Sequence, residues 1–217
     1  MTINRIITTI SLALLCFSPA LAAHTGPYIG GFGGANLVPD TSCNSSTGTF
    51  ILAYKPAIQW GGMIGWDLGP ENMLGGEGRV ELEYSHRGNK LDTVNLKSSG
   101  KVPAVGTLDV DSLIISSYYV YRSPSIFSPY IGAGAGAAQV QADKFQFSGS
   151  SLASSTSTVF AYQGGLGVDT NLFKNVSLDL GYRFFGISRP HLTELNGKKF
   201  TIDYYSHSAL LGLRLGF

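Results

Sequence analysis

The sequence predicts an all-β chain, an eight-stranded antiparallel up-and-down transmembrane β-barrel with short periplasmic turns and four long extracellular loops. Three observations predict it. Large apolar residues alternate with glycine, polar or charged ones over segments of about ten residues, the period of a strand whose two faces meet different surroundings. The connections between these segments alternate long and short. Charged residues make up only 13% of the 217-residue chain, about half the share of a soluble domain, although the chain begins with what reads as an export signal.

That signal comes first in the chain. Arg5 precedes a mostly apolar run over 6–15, and Ser18-Pro19-Ala20-Leu21-Ala22 supplies a small-x-small cleavage pattern. Residues 1–22 are therefore expected to be a removed secretory signal, and 23–217 the barrel domain. The apolar run falls short of the ~20 residues a spanning helix needs, and Leu15 is too large for lipoprotein processing at Cys16. Cleavage leaves 14 basic against 14 acidic residues. A neutral chain has no basic field to hold a nucleic acid by counterion release, so no nucleic-acid partner is expected. Only Cys43 remains, so neither a disulfide framework nor a cysteine metal site is expected. Later windows hold no run of 18 apolar residues; the longest candidate, 113–121, is broken by Ser116 and Ser117. If the chain crosses a membrane it must do so as a closed barrel, in which every backbone group is paired.

The eight strands are predicted at 27–37, 59–68, 76–87, 107–121, 129–138, 157–170, 176–185 and 204–217. The last alternates most cleanly, with Leu211, Leu213, Leu215 and Phe217 opposing Gly212, Arg214 and Gly216. In the seventh, Val176, Leu178, Leu180, Tyr182 and Phe184 oppose Ser177, Asp179, Gly181 and Arg183. In the sixth, Phe160, Tyr162, Leu166 and Val168 oppose Gln163, Gly165, Gly167 and Asp169. The third sets Val80, Leu82, Tyr84 and His86 against Arg79, Glu81, Glu83, Ser85 and Arg87, and the second sets Ile64, Trp66 and Leu68 against Met63, Gly65 and Asp67. The first and fourth strands leave their inward face open, because Leu113-Ile114-Ile115 puts bulk on both sides. A soluble antiparallel sandwich also alternates. The connections, about 21, 7, 19, 7, 18, 5 and 18 residues long, favour the membrane barrel, whose loops are long on one side only. The short ones contain Gly69-Pro70-Glu71-Asn72, Arg122-Ser123-Pro124-Ser125 and 171–175, all sound turn chemistry. Tyr28, Trp60, Trp66, Tyr84, Tyr118, Tyr119, Tyr121, Tyr130, Tyr162, Tyr182, Phe184, Tyr204, Tyr205 and Phe217 gather toward strand ends, as interfacial girdles do.

Several stretches then resemble a known family. They are the ending Ser208-Ala209-Leu210-Leu211-Gly212-Leu213-Arg214-Leu215-Gly216-Phe217, Ser128-Pro129-Tyr130-Ile131-Gly132-Ala133-Gly134, Ala161-Tyr162-Gln163-Gly164-Gly165-Leu166-Gly167, and Gly78-Arg79-Val80-Glu81-Leu82-Glu83-Tyr84. Over the whole mature chain these resemble the eight-stranded outer-membrane barrel superfamily. Its opacity-protein-like porins and the surface antigens of obligate intracellular alphaproteobacteria look most similar. The resemblance implies a place in the cell outer membrane, contact with outer-membrane lipid, and a terminal signal for the barrel assembly machinery in Phe217, Leu215 and Leu213. It also implies a surface protein that is structural in the envelope, with an adhesin or antigen role toward host-surface molecules. The related outer membrane protein A carries a peptidoglycan-binding domain after its barrel; the resemblance here covers the barrel alone, so peptidoglycan binding is not expected from it.

A barrel of eight strands is wide enough only for its own side chains. Asp67, Arg79, Glu81, Glu83, Asp169, Asp179, Arg183 and Arg214 carry both signs and are expected to pair inside it as a salt-bridged plug, which weighs against the alternative of a narrow passive channel. Glu81 and Glu83 share a face, as glycosidase carboxylates must, but Arg79 beside them points to pairing. A lipid A-modifying enzyme would need serine and histidine on one face; His207 lies beside Ser206 and Ser208, and His86 beside Ser85, so each pair is split between faces. The glycine runs at 30–34 and 132–136 precede no helix pattern, so no nucleotide and no other cofactor is expected. No catalytic residue and no metal ligand is assigned. Function is expected in the long loops, where Arg189, His191, Lys198 and Lys199 make the fourth basic enough to meet an acidic or host surface.

Overall fold

The computed structural model describes residues 25–45, 48–69, 76–96, 100–122, 126–147, 150–151, 155–193 and 199–217. The expected signal, residues 1–22, and Lys198 lie outside them. The elements run β1 (Gly26–Leu37), β2 (Thr41–Ser45), β3 (Gly48–Tyr54), β4 (Ala57–Asp67), β5 (Glu77–Leu96), β6 (Gly100–Val120), β7 (Phe127–Phe147), β8 (Ser150–Ser151), β9 (Ser155–Phe173), β10 (Val176–Ile187), β11 (His191–Thr193), β12 (Lys199–Ile202) and β13 (Tyr205–Gly216). The eight expected strands correspond to β1, β4, β5, β6, β7, β9, β10 and β13.

These eight pair antiparallel with their sequence neighbours in the ring, and the ring closes where β13 pairs β1, from Tyr28↔Gly216 to Leu37↔His207. Closure leaves none of the eight with a free edge inside the membrane, the condition for crossing lipid with strands. At the seam the two backbones approach so closely that a Cβ on Gly34 would fall onto the Ala209 carbonyl oxygen. Gly136 meets the Leu113 carbonyl in the same way between β7 and β6. Glycine at these two positions is a packing requirement of the sheet.

Register settles the two strands whose alternation was open. In β1, Tyr28, Phe32 and Asn36 face inward while Ile29 and Leu37 face outward. In β6, Ile114 is 0% exposed while Leu113 and Ile115, at 52% and 63%, point outward. The bulk on both faces has two causes: Leu113 and Ile115 form part of an apolar outer wall, and Ile114 joins an apolar interior cluster.

The long connections contain strands that the sequence pattern did not foretell. β5, β6, β7 and β9 run to 20, 21, 21 and 19 residues, about twice what a tilted membrane strand needs. β3 pairs the upper part of β5, β2 pairs β3, and β12 and β11 extend the same sheet. The barrel wall thus continues above the membrane as a second tier, where extended loops were expected. Register shifts mark the passage, between Lys90 and Thr93 in β5 and between Val105 and Thr107 in β6.

Candidate functional site

Inside the lower tier, the charged residues form a layered network. At the inner mouth Arg122 Nε donates to Glu77 Oε2 at 2.6 Å. Above it Arg79 Nε lies 3.1 Å from Glu81 Oε1, and Arg79 Nη1 donates to Asp169 Oδ2 at 2.7 Å. Arg214 Nη2 reaches the same Asp169 oxygen at 2.5 Å. Tyr28 donates to Glu81 at 2.7 Å and Tyr130 to Asp179 at 3.1 Å. One layer higher, Arg183 pairs with Glu83. Asp67, Arg79, Glu81, Glu83, Asp169, Asp179, Arg183 and Arg214 are all buried. The structure brings Arg79, Glu81, Asp169 and Arg214 into one cluster, puts Asp179 opposite Asp169 across β9 and β10, and leaves Asp67 at the mouth, 4.0 Å from Arg122.

Aromatic rings complete this layer, which corrects part of the girdle expectation. Tyr28, Tyr118 and Tyr130 in this layer, and Tyr204 in the cluster above it, are 2–5% exposed and face the interior. The Tyr28 ring lies over Gly65, Tyr118 over Gly132 and Tyr130 over Gly167, so a Cβ at any of these glycines would meet a ring. The Arg79 guanidinium sits 4.9 Å from the Tyr118 ring centroid and 4.7 Å from that of Tyr130. An aromatic ring laid on a glycine fills the hole the glycine leaves, and its face favours a cation. The alternation cannot reveal this, because aromatics suit both environments.

The interior changes character higher up. Arg87, 0% exposed, donates to Ser85 at 2.9 Å and Ser112 at 3.0 Å and lies 3.8 Å from the Phe185 ring centroid. Above it, Leu52, Val94, Leu108, Val110, Val140 and Ile202 form an apolar cluster with 0–1% exposure. The charged residues expected as a salt-bridged plug therefore gather in the lower half; above them come a neutral hydrogen-bonded layer of Asn36, Gln59, Asn89, Tyr204 and Ser208 and then the apolar cluster. Glu77, Arg87 and Arg122 were absent from the expected interior charges. Arg87 shares the parity of Arg79, Glu81 and Glu83 in one strand, so that signal was available.

Outside, the wall is apolar between two levels. In β4 the outward residues run from Ile58, 73% exposed, to Leu68, 57% exposed. Ten residues at about 3.3 Å each, tilted about 40°, span about 25 Å, the height of an outer-membrane apolar band. In β13, Leu211, Leu213 and Leu215 are 50–54% exposed and Phe217 68%; Phe217 N also donates to Pro27 O at 3.0 Å, tying the terminal residue to β1. Near the outer level Trp60 packs edge-on to Tyr84, and Tyr162, Phe184, Tyr205 and His207 form a continuous ring cluster.

The histidines confirm the split of faces. Ser85, Ser206 and Ser208 are buried inside, whereas His86 and His207 lie on the outer wall. His207 Nδ1 meets the Tyr182 hydroxyl at 2.6 Å, and His86 Nδ1 lies 2.9 Å from Asp111, which also accepts from Tyr84. The His86–Asp111 pair depends on the β5–β6 register and carries no sequence signal. At the outer rim Arg189 Nε donates to Asp203 at 2.7 Å and remains exposed. His191 and Lys199 stand on the paired strands β11 and β12.

Comparison with known proteins places this architecture. The family profile described as outer membrane protein beta-barrel domain matches residues 8–217. Outer membrane protein PagN of Salmonella typhimurium is 22% identical over 199 residues, covering 83% of this chain and 82% of its own. The crystal structure of the outer membrane protein OprG from Pseudomonas aeruginosa matches with TM-score 0.59 at 16% identity, over 92% of this chain and 100% of that one. The outer membrane protease OmpT from Escherichia coli matches with TM-score 0.56 at 9% identity, over 93% and 99%.

Proposed function

This chain belongs to the outer membrane protein β-barrel domain family and is a protein of the outer membrane, and on that premise we propose that it is a non-catalytic surface protein. Its barrel anchors a basic outer tier that makes contact with anionic surfaces outside the cell. The carrying observation is the division of the molecule into a filled barrel and a built outer tier. Buried side chains occupy the interior from Asp67 at the inner mouth to Leu52 at the top, which supports an anchor over a narrow channel. β2, β3, β11 and β12 give the outer segments a framework that a loop would lack.

Charge supports the same reading. In the outer segments, residues 89–101 hold Lys90, Lys97 and Lys101 against Asp92, and residues 188–203 hold Arg189, Lys198 and Lys199 against Glu194 and Asp203. With Asp109 and Asp111, which also face outward there, residues 38–58, 89–111, 139–158 and 188–203 together hold eight basic against seven acidic residues, so the positive charge is clustered at these two places. Positive charge clustered at one end steers that end toward a polyanion. Catalysis has no comparable support: the His86–Asp111 pair faces outward while Ser85 faces inward, and the likeness to a protease at 9% identity reaches the fold alone.

Whole cells displaying the protein should retain soluble dextran sulfate in a salt-sensitive manner. Substituting Lys90→Gln, Lys101→Gln and Arg189→Gln together should lower retention severalfold while the barrel remains folded. Equal retention by the variant would remove the contact reading.

A further inference from the structure

Two apolar grooves run along the lipid-facing wall at its inner end, one on each side of the ridge formed by Ile29 of β1. The first has a volume of about 540 Å³ and is lined by Ile64, Trp66, Val80 and Phe217. The second, about 460 Å³, is lined by Gly31, Val176, Leu213 and Leu215. Ile29 borders both and is 47% exposed. Gly31 deepens the floor of the second groove, because it faces outward with no side chain.

The inner rim beside the second groove carries a charge of the right kind. Val176 follows directly on the Lys174-Asn175 turn between β9 and β10, and Asn175 O accepts from Gly216 N at 2.8 Å, so this turn is held against the end of β13. Lys174 is exposed there. Arg79, Arg122, Arg183 and Arg214 are committed to carboxylates within the barrel.

We propose that this wall is a binding site for one two-chain glycerophospholipid of the inner leaflet. Its acyl chains lie in the two grooves astride Ile29, and its phosphate meets Lys174. In a bilayer, hydrocarbon gains nothing from merely leaving lipid, so preference comes from close packing and from polar contacts at the rim. Paired grooves supply the packing, since a chain lying between outward side chains touches more protein atoms than one lying on a flat wall. The lysine supplies the rim contact, as a point charge suited to phosphate. Inner-leaflet placement follows from the short-turn end of the barrel, which carries Phe217 and the Lys174-Asn175 turn.

The test is native mass spectrometry of the full-length barrel, extracted from outer membranes and washed through repeated detergent exchange. The wild type should keep one phospholipid per barrel, and added lysophospholipid, with a single chain, should fail to replace it. Gly31→Phe should lose that lipid. The fold should tolerate this change, because a Cβ at Gly31 meets only the Gly61 carbonyl, at an ordinary 3.6 Å. Val80→Trp fills the other groove and serves if Gly31→Phe does not show heat-modifiable gel mobility. Lys174→Gln should weaken retention. Wild type carrying no more lipid than both groove-filled variants, or carrying lipid A in place of phospholipid, would overturn the proposal.

Discussion

Replacing Asp169 with asparagine is expected to destabilise the folded barrel by about 3–5 kcal/mol, the cost of breaking a buried ion pair by removing one partner. Asp169 is 1% exposed and receives both Arg79 at 2.7 Å and Arg214 at 2.5 Å on one oxygen. The amide keeps the shape but loses the charge, so two buried guanidiniums lose their shared counter-charge, and Arg79 is left with Glu81 alone. The matched control is Asp92→Asn. That acid pairs with Lys55 at 3.5 Å in solvent, with both side chains at least half exposed, and should cost no more than about 1 kcal/mol. Urea unfolding in detergent micelles, followed through Trp60 and Trp66 fluorescence, measures both. Similar losses for the two variants would mean that the ionic layer does not hold the barrel together.

A second substitution, Leu211→Arg, tests the outer wall. Leu211 is 54% exposed and lies midway between Tyr205 and Phe217 on β13. In a water-soluble sheet an exposed leucine exchanged for arginine would change stability by about 0.5 kcal/mol or less. At the middle of a bilayer the same change costs about 2–4 kcal/mol. Unfolding from phospholipid vesicles should show the larger figure, whereas Ser188→Arg, on the exposed segment above the membrane, should fall within the smaller. A neutral Leu211→Arg in vesicles would contradict a lipid-facing wall.

The membrane itself decides how much of the fold can be read from sequence. Where a strand crosses lipid the outward face must be apolar, so β5, β9, β10 and β13 display their parity openly. Where the strand leaves lipid the rule reverses while the parity continues. In β5, Arg79, Glu81, Glu83 and Arg87 point in and Val80 and Leu82 out; above the rim Leu91 points in and Lys90 and Asp92 point out. In β6, Leu108 and Val110 point in beneath outward Asp109 and Asp111, whereas lower down Leu113 and Ile115 point out. A reading that seeks one polarity sense sees the strand end at the inversion, which is why the upper tier passed for loop. The first strand was opaque for another reason. Gly30, Gly31, Gly33 and Gly34 leave it few side chains with which to declare a face, and only the pairing of Tyr28, Phe32 and Asn36 with the interior settles it.

The candidate site followed the same division. Opposite charges on the inward parity of β5, β9, β10 and β13 suggested pairing, but which acid meets which arginine depends on how strands distant in sequence are juxtaposed. Arg79 and Asp169 are 90 residues apart. The aromatic lids on Gly65, Gly132 and Gly167, and the apolar upper core, likewise appear only once the ring is closed.

Closure is tested most directly by crosslinking the seam. Ala35 and Ala209 are direct cross-strand partners on β1 and β13, and both point outward. With Cys43 changed to serine, Ala35→Cys and Ala209→Cys place two thiols at cross-strand distance, about 5 Å between Cβ atoms. Oxidation of intact outer membranes should then lock the ends of the chain together, giving a species whose gel mobility no longer shifts on heating until a reductant is added. Two thiols that both label freely and never crosslink, in a protein that is folded and membrane-embedded, would show that the last strand does not meet the first.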